Sequence, residues 1–166
     1  MLFNSPIYIF AFLPVAVLLY LLLNRKGYSS SGKVWLVLAS LFFYGYWNPY
    51  YLILIISSIV VNFMIGNRLQ CSFSSAETAS SPRRKKLVIL GILFNIGLLA
   101  YFKYADFFIE NLNLVTGSSL SLLQVALPLA ISFFTFQQVA YLIDSYKEGT
   151  RPYSFLDYAL FVSFFP

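Results

Sequence analysis

Residues 127–149 read LPLAISFFTFQQVAYLIDSYKEG, an apolar stretch of membrane-spanning length that carries a polar stripe. The stripe consists of Gln137, Gln138, Tyr141, Asp144 and Ser145. These residues recur about every three to four positions, so on a helix they share one side. Polar side chains at membrane depth are costly and usually face protein or water. The stripe therefore indicates either a substrate path or a helix contact, and interhelical hydrogen bonding explains the two glutamines equally well.

The rest of the chain has the composition of an integral membrane protein. Of its 166 residues, 60% are hydrophobic and 10% are charged, whereas soluble domains average about 25% charged residues. Residues 1–24, 34–67 and 111–143 contain no charged side chain, and each run exceeds the roughly 20 residues that cross a bilayer core. This composition excludes a soluble globule, and a single basic cluster between two spans does not indicate nucleic-acid binding.

The order of apolar runs and helix breakers predicts an all-α, polytopic membrane protein. The expected spans cover about 6–23, 34–47, 50–67, 87–102 and 129–146, and a sixth helix begins at about 155. Pro14 is expected to kink the first span, and Ser154 with Asp157 has the spacing of a capping box. Residues 68–86 are Ser-rich and end in four cations, and we predict that they form a flexible cytoplasmic loop.

The basic residues orient these spans. With the N-terminus outside, the loops at 25–33, 68–86 and 147–152 lie inside and hold ten of the eleven Lys and Arg residues, leaving only Lys103 outside. The positive-inside rule therefore predicts five complete spans plus the start of a sixth, with the N-terminus outside. Lys103 is spaced for pairing with Asp106.

Four ordered segments carry a resemblance to a known family. They are MLFNSPIYIFAFLPV at 1–15, LFFYGYWNPYYLILI at 41–55, FKYADFF at 102–108, and PLAISFFTFQ at 128–137 with Tyr141, Asp144, Tyr146 and Gly149 after it. Together they resemble the membrane-bound O-acyltransferase family, in the bacterial branch of alginate O-acetylation and D-alanyl-transfer membrane proteins. Ala130 departs from the glycine expected in that family, and we expect the departure to affect little beyond local packing.

The resemblance implies an enzyme of the bacterial inner membrane that transfers an acyl group, expected to be acetyl, to hydroxyls of an exported polysaccharide or cell-envelope polymer. It implies a thioester donor such as acetyl-CoA as substrate, no bound cofactor or metal, and an acyl-accepting partner in the periplasm or outside the cell. It also implies an intramembrane catalytic histidine, the usual base for taking a hydroxyl proton. The chain contains no histidine, so no catalytic residue is assigned.

Our prediction is therefore that residues 1–166 are the N-terminal part of one multispan domain, inactive without the missing C-terminal part. The substrate-path candidates are Gln137, Gln138, Tyr141 and Asp144. An ion pair with Lys147 at the interface is the alternative account of Asp144. The alternative function is a non-enzymatic transporter or assembly subunit, although the sequence contains no inverted repeat.

Overall fold

The computed structural model describes residues 6–47, 49–74, 81–119, 121–123, 130–147 and 153–164. Within these ranges the chain is all-helical, as predicted, and a π-helical turn at Tyr8–Phe12 precedes the first α-helix. The α-helices are α1 Leu13–Arg25, α2 Ser29–Trp47, α3 Pro49–Ser74, α4 Pro82–Thr116, α5 Ile131–Lys147 and α6 Phe155–Ser163. Two segments, Pro49–Gln70 and Pro82–Thr116, are long and apolar enough to cross a membrane. The polytopic topology, the number of spans and their orientation stay predictions.

The chain divides into two compact units. Unit 1 comprises Met1–Met64 with Arg151–Pro166, and unit 2 comprises Ile65–Thr150. Helix α3 contributes its first part to unit 1 and its last turns to unit 2.

The disruption predicted at Pro14 takes the form of the π-helical turn. Proline lacks an N–H and crowds the carbonyl four residues before it, so it cannot follow a regular α-helical turn without strain. The N–H of Leu13 donates to the carbonyl of Tyr8, five residues earlier, which is the π-helical pattern. Pro14 then lies in the first turn of α1.

Helix α1 ends in a Schellman motif at Gly27. Gly27 has a φ of 80°, a conformation that is cheap only for glycine. The N–H of Gly27 donates to Asn24 O at 3.1 Å, and the N–H of Tyr28 donates to Leu23 O at 3.1 Å. Because this turn is short, α2 starts at Ser29 rather than near 34 and reaches 19 residues, roughly 28 Å of helix.

In unit 1, helix α2 packs on both α1 and α6. Aromatic rings contribute to this packing. The buried Tyr8 lies 5.0 Å from the buried Phe43, and Phe63 of α3 lies 5.8 Å from the buried Tyr158 of α6, between ring centroids. At the start of α6, the Ser154 Oγ accepts a hydrogen bond from the Asp157 N–H at 3.2 Å. The capping half of the predicted Ser154–Asp157 motif is therefore confirmed.

The predicted linker at 68–86 is largely helical in its described part. Helix α3 continues to Ser74, and α4 begins at Pro82, while residues 75–80 lie outside the described ranges. Leu69 and Arg84, both within the predicted loop, are fully buried. The loop prediction therefore fails for 68–74 and 82–86, because tertiary packing holds these polar turns in helices.

Helix α4 is a single helix of 35 residues that ends at Gly117, whose φ is 65°. The expected pairing of Lys103 with Asp106 does not form in the described part of the chain. Instead, Asp106 Oδ1 accepts a hydrogen bond from the Leu123 N–H at 2.8 Å, and the Lys103 ammonium lies 5.4 Å from the Tyr104 ring centroid.

Candidate functional site

The candidate site is built on α5, which begins from a residue in the left-handed conformation. Ala130 has a φ of 56°, and its carbonyl accepts hydrogen bonds from the N–H groups of Phe133 at 2.9 Å and Phe134 at 3.1 Å. A Cβ in this region meets the neighbouring carbonyl, which costs about 1–2 kcal/mol. The glycine expected at this position is therefore favoured by backbone geometry, and the prediction that little beyond local packing is at stake was wrong.

Two glycines allow α5 to approach its neighbours in unit 2 closely. A Cβ at Gly66 of α3 would lie 2.5 Å from the Tyr141 hydroxyl oxygen, and a Cβ at Gly91 of α4 would lie 2.6 Å from Leu142 Cδ1. Neither position has room for another side chain. The Tyr141 ring and the Leu142 side chain thus fill spaces that exist because these two residues are glycines, as is common where membrane helices approach closely.

Polar contacts hold the C-terminal turns of α5 in the same unit. Gln70 Nε2 of α3 donates to Ser145 Oγ at 3.1 Å. Arg84 Nη2 of α4 donates to the Tyr146 carbonyl at 2.8 Å, and its guanidinium carbon lies 5.3 Å from the Tyr146 ring centroid. Arg84 is fully buried. A cation beside the last carbonyls of a helix also complements the helix dipole, so this contact stabilises the end of α5.

The predicted stripe divides between two adjacent faces of α5. Gln138, Tyr141 and Ser145 are buried on the face that contacts α3 and α4. Gln137 is half-buried and Asp144 is exposed. The alternative ion pair of Asp144 with Lys147 is absent from the described range 130–147. The structure therefore brings together Gln138, Tyr141 and Ser145, and it places Gln137 and Asp144 beside them.

Two buried oxygens on α5 make no hydrogen bond within the described residues. They are the Thr135 Oγ1 and the Gln137 Oε1. A buried polar atom without a partner costs free energy, so such atoms call for a ligand, a water or a further protein group. Since sequence reasoning assigned no role to Thr135, this residue adds to the candidate site.

Asn95 is a further buried amide that sequence reasoning missed. It is 2% exposed, and its Nδ2 donates to the Gly91 carbonyl at 2.8 Å. Arg84 contacts Tyr146 and Gly91 lies against Leu142, so α4 and α5 run in opposite directions, and Asn95 lies one turn beyond Gly91 along α4. An asparagine in an otherwise apolar helix was the available signal, because polar side chains within spans tend to be functional or to contact other helices.

The site supplies amides, hydroxyls and one buried guanidinium, so it can orient a substrate through hydrogen bonds. Within the described residues, no group of three or more His, Cys, Asp or Glu could hold a metal ion. The Ser154 hydroxyl donates to Asp157 Oδ2 at 2.9 Å, but this pair lies at the start of α6 in unit 1 and is not part of the α5 site, where covalent catalysis would require a nucleophile paired with a base. The arrangement can therefore bind and position, and it does not by itself move a proton.

Comparisons with known proteins identify relatives over the whole chain. It is 43% identical, over 194 aligned residues, to a peptidoglycan O-acetyltransferase of Helicobacter pylori, covering 100% of this chain and 35% of that protein. It is 34% identical to the probable alginate O-acetylases AlgI of Pseudomonas aeruginosa and Pseudomonas syringae, covering 100% of this chain and 31% of each.

The chain thus spans about a third of the length of these relatives. No family model matches it, and no solved structure matches it significantly. The matches to two differently named groups of O-acetyltransferases confirm the resemblance drawn from the four sequence segments. The chain is thus similar over its full length to O-acetyltransferases of the membrane-bound O-acyltransferase family, and its described residues include two helices that could cross a membrane.

Proposed function

We propose that the chain is part of an enzyme that transfers an acetyl group to hydroxyls of a cell-envelope or exported polysaccharide. The observation that carries the proposal is the match of all 166 residues to relatives named peptidoglycan O-acetyltransferase and probable alginate O-acetylase. These names differ in the polymer and agree in the bond that is formed, an acetyl ester on a carbohydrate. The shared reaction is therefore the most economical function for this chain.

The reaction requires groups that this chain does not contain. A sugar hydroxyl oxygen attacks the thioester carbonyl of the donor and its proton passes to a base. The new C–O bond forms, the C–S bond breaks, and the leaving thiolate takes the proton back from the base as the free thiol. Histidine is the usual base for such a proton near neutral pH, and the sequence has none. In our proposal the base is an intramembrane histidine in the remaining two-thirds of the enzyme, and these residues alone are inactive.

The proposed role of α5 is to form one wall of the substrate path. Gln137, Gln138, Tyr141 and Asp144 provide hydrogen-bonding groups along two adjacent faces of the helix. The unsatisfied Gln137 Oε1 supports this role, because a buried amide oxygen can accept a hydrogen bond from a hydroxyl-rich substrate. The path would connect a thioester donor, such as acetyl-CoA, on the inner side of the bacterial inner membrane with an acceptor on the outer side.

A chimeric enzyme tests this function without knowledge of the rest of the natural protein. Residues 1–166 replace the segment that they match in the Helicobacter pylori relative, and a second chimera is made with the Pseudomonas aeruginosa relative. Acetyl esters released by mild base are measured on peptidoglycan for the first and on alginate for the second. We expect esters from at least one chimera and none from residues 1–166 alone.

Controls separate a failed function from a failed fold. The unaltered relatives give the full ester content, and membrane yield and melting temperature in detergent show whether each chimera folds. Two folded chimeras without any acetyl ester would contradict the proposed function. Ester formation by residues 1–166 alone would contradict the assignment of the base to the remainder of the enzyme.

A further inference from the structure

The four cations at the start of α4 fall into two groups in the structure. Arg84 is buried and contacts Tyr146, as described above. Arg83, Lys85 and Lys86 are exposed. If the four cations only set the membrane topology, it would not matter which way each side chain points. The three outward cations therefore form a separate surface, and it is this surface that lacks an assigned role.

The outward cations are continuous with an exposed apolar face of the same helix. Arg83, Lys86, Leu90, Leu93 and Gly97 succeed one another at spacings of three or four residues, so they lie on one face of α4. Leu90 and Leu93 are each 61% exposed. A Cβ at Gly97 would meet nothing within 4 Å, which leaves a shallow open space beside the two leucines.

The adjacent ridge of α4 repeats the same order. Lys85 is followed one turn later by Ile89, which is 44% exposed, and later by Ile96, which is 51% exposed. Of the two membrane-length segments, Pro82–Thr116 is the less covered, with 17% of its most apolar window buried against 28% for Pro49–Gln70. This side of α4 thus carries three cations at one end and a broad apolar surface beyond them.

We propose that this face binds an anionic phospholipid. The headgroup phosphate contacts Arg83, Lys85 and Lys86, and an acyl chain lies along Leu90, Leu93 and the open space at Gly97. Clusters of Lys and Arg at a membrane surface attract anionic lipids, and long cationic side chains extend to headgroup depth while their stems contact apolar surface. The site is independent of acetyl transfer and goes beyond the proposed function.

The combination of charge and apolarity favours this ligand over two others. A zwitterionic lipid would cover the leucines but would leave three cations without net charge compensation. An acidic soluble protein would neutralise the cations at the membrane surface but would not contact the exposed leucines and isoleucines that follow them along α4. An anionic phospholipid matches both halves of the surface at once.

The experiment measures lipid retention by the purified chain. The protein is extracted, mixed with equal amounts of phosphatidylglycerol and phosphatidylcholine, and analysed by native mass spectrometry. We expect at least about fivefold more retained phosphatidylglycerol than phosphatidylcholine. The triple variant Arg83→Gln/Lys85→Gln/Lys86→Gln is expected to retain the two lipids equally, because the apolar face alone does not distinguish their headgroups.

A matched control keeps the change in net charge the same. The triple variant R25Q/K26Q/K103Q also removes three exposed cations, and we expect it to keep the phosphatidylglycerol preference. Circular dichroism checks that both variants remain helical. Equal retention of the two lipids by the wild-type chain would overturn the proposal, because there would be no selective site. Loss of the preference in both triple variants would also overturn it, because net charge alone would then explain the preference.

Two further arms identify the source of the bound phosphate. Inorganic phosphate at millimolar concentration is expected to leave the bound phosphatidylglycerol in place, because it cannot replace the acyl-chain contacts. Displacement by phosphate would overturn the role of the apolar face. Co-purification of an acidic protein that depends on the same three cations, without a lipid preference, would overturn the assignment to lipid. The measurement is repeated on the Helicobacter pylori chimera, where loss of the preference would show that other helices cover this face.

Discussion

Units 1 and 2 hold their helices together by different means. In unit 1, aromatic rings pack in pairs, with centroid distances of 5.0 Å for Tyr8 and Phe43 and 5.8 Å for Phe63 and Tyr158. An ion pair joins α2 to α6. In unit 2, side chains of α5 lie against two glycines, and buried polar groups bind its last turns. Ring clusters can repack around a change, whereas a Cβ added at either glycine would fall directly on a side chain of α5.

The two units should therefore differ in how well they tolerate substitution. Contacts between rings depend on area and can be exchanged for other apolar contacts at a modest cost. Contacts of unit 2 depend on the absence of a Cβ at a glycine or on one particular hydrogen-bond donor. Adding or removing a single atom can therefore break such a contact. We therefore expect substitutions in unit 2 to have the larger effects, and the following predictions test that ranking by the free energy of unfolding in detergent.

The largest effect is expected for Gly66→Ala. The new Cβ would overlap the Tyr141 ring, which is rigid and buried, so either the ring or α5 must shift. We expect a loss of at least about 3 kcal/mol, at the upper end for overpacking a core. Gly91→Ala should cost less, because it meets the end of the Leu142 side chain, which can rotate.

Gly97→Ala is the matched control for these two variants. Position 97 also lies within α4, and a Cβ there meets no atom within 4 Å. Since glycine in a helix interior is about 0.5–1 kcal/mol less favourable than alanine, this variant should unfold at a slightly higher denaturant concentration. If Gly66→Ala and Gly97→Ala behaved alike, the close approach of α5 would be refuted.

The second largest effect is expected for Arg84→Met. Methionine keeps much of the apolar volume but removes the donor to the Tyr146 carbonyl, and hydrogen bonds to charged groups contribute about 1.5–3 kcal/mol. Arg83→Met, at the exposed neighbouring position, should stay within about 0.5 kcal/mol of the wild type. The difference between the two variants measures the buried contact, and equal effects would place Arg84 in solvent.

A smaller effect of opposite sign is expected for Ala130→Gly. Because Ala130 has a φ of 56°, glycine should relieve the strain and stabilise the protein by about 1 kcal/mol. Ala140→Gly, within α5, should destabilise it by about 0.5–1 kcal/mol. Destabilisation by both changes would mean that residue 130 is not in the left-handed conformation.

The smallest effect is expected in unit 1, at the ion pair of Lys33 with Asp157. The pair spans 2.5 Å, but its side chains are 40% and 41% exposed, so solvent and salt screen it. The hydrogen bonds from Lys33 and Ser154 lower the pKa of the Asp157 carboxyl. The contribution of the pair is therefore present above the unfolded-state pKa and is lost as the pH falls through the folded-state pKa.

A double-mutant cycle over pH checks this contribution. The variants Lys33→Gln and Asp157→Asn, alone and combined, should give a small coupling near neutral pH that disappears at acidic pH. A coupling that grows on acidification would contradict the lowered pKa. A coupling larger than the effect of Arg84→Met would contradict the ranking of the two units.

Local features of the fold were accessible from the sequence. Pro14 predicted a kink in the first span, and the structure has a π-helical turn just before it. The Ser154–Asp157 spacing predicted the start of α6. Each signal depends on residues within one or two turns. The end of α3 at Ser74 and the start of α4 at Pro82 could not be predicted from such local signals. Their polar ends resemble a linker in composition, and only contacts with α5, distant in sequence, keep them helical.

The candidate site also contains features that the sequence predicted and features that only the structure shows. The stripe on α5 was predicted from spacing to share one side of the helix, whereas the structure buries Gln138, Tyr141 and Ser145 and leaves Gln137 and Asp144 on the adjacent face. Gly66, Gly91 and Arg84 were missed as contacts of that helix, since nothing in their own neighbourhoods shows which side chain they meet. Ala130 was noted as a departure from the family, but its φ could be known only from the structure.

The measurement that tests the central claim most directly uses Gln137→Leu in the Helicobacter pylori chimera. The claim is that the polar face of α5 serves acetyl transfer in addition to packing. Leucine has a similar size, and the Gln137 Oε1 has no hydrogen bond to lose within the described residues, so stability should be unchanged. Phe136→Leu, at a position that is 73% exposed, is the control. We predict at least a roughly tenfold lower rate of ester formation for Gln137→Leu, which corresponds to a loss of about 1.4 kcal/mol of transition-state stabilisation. The rate of the Phe136→Leu control should be unchanged. An unchanged rate in a stably folded Gln137→Leu chimera would contradict the claim.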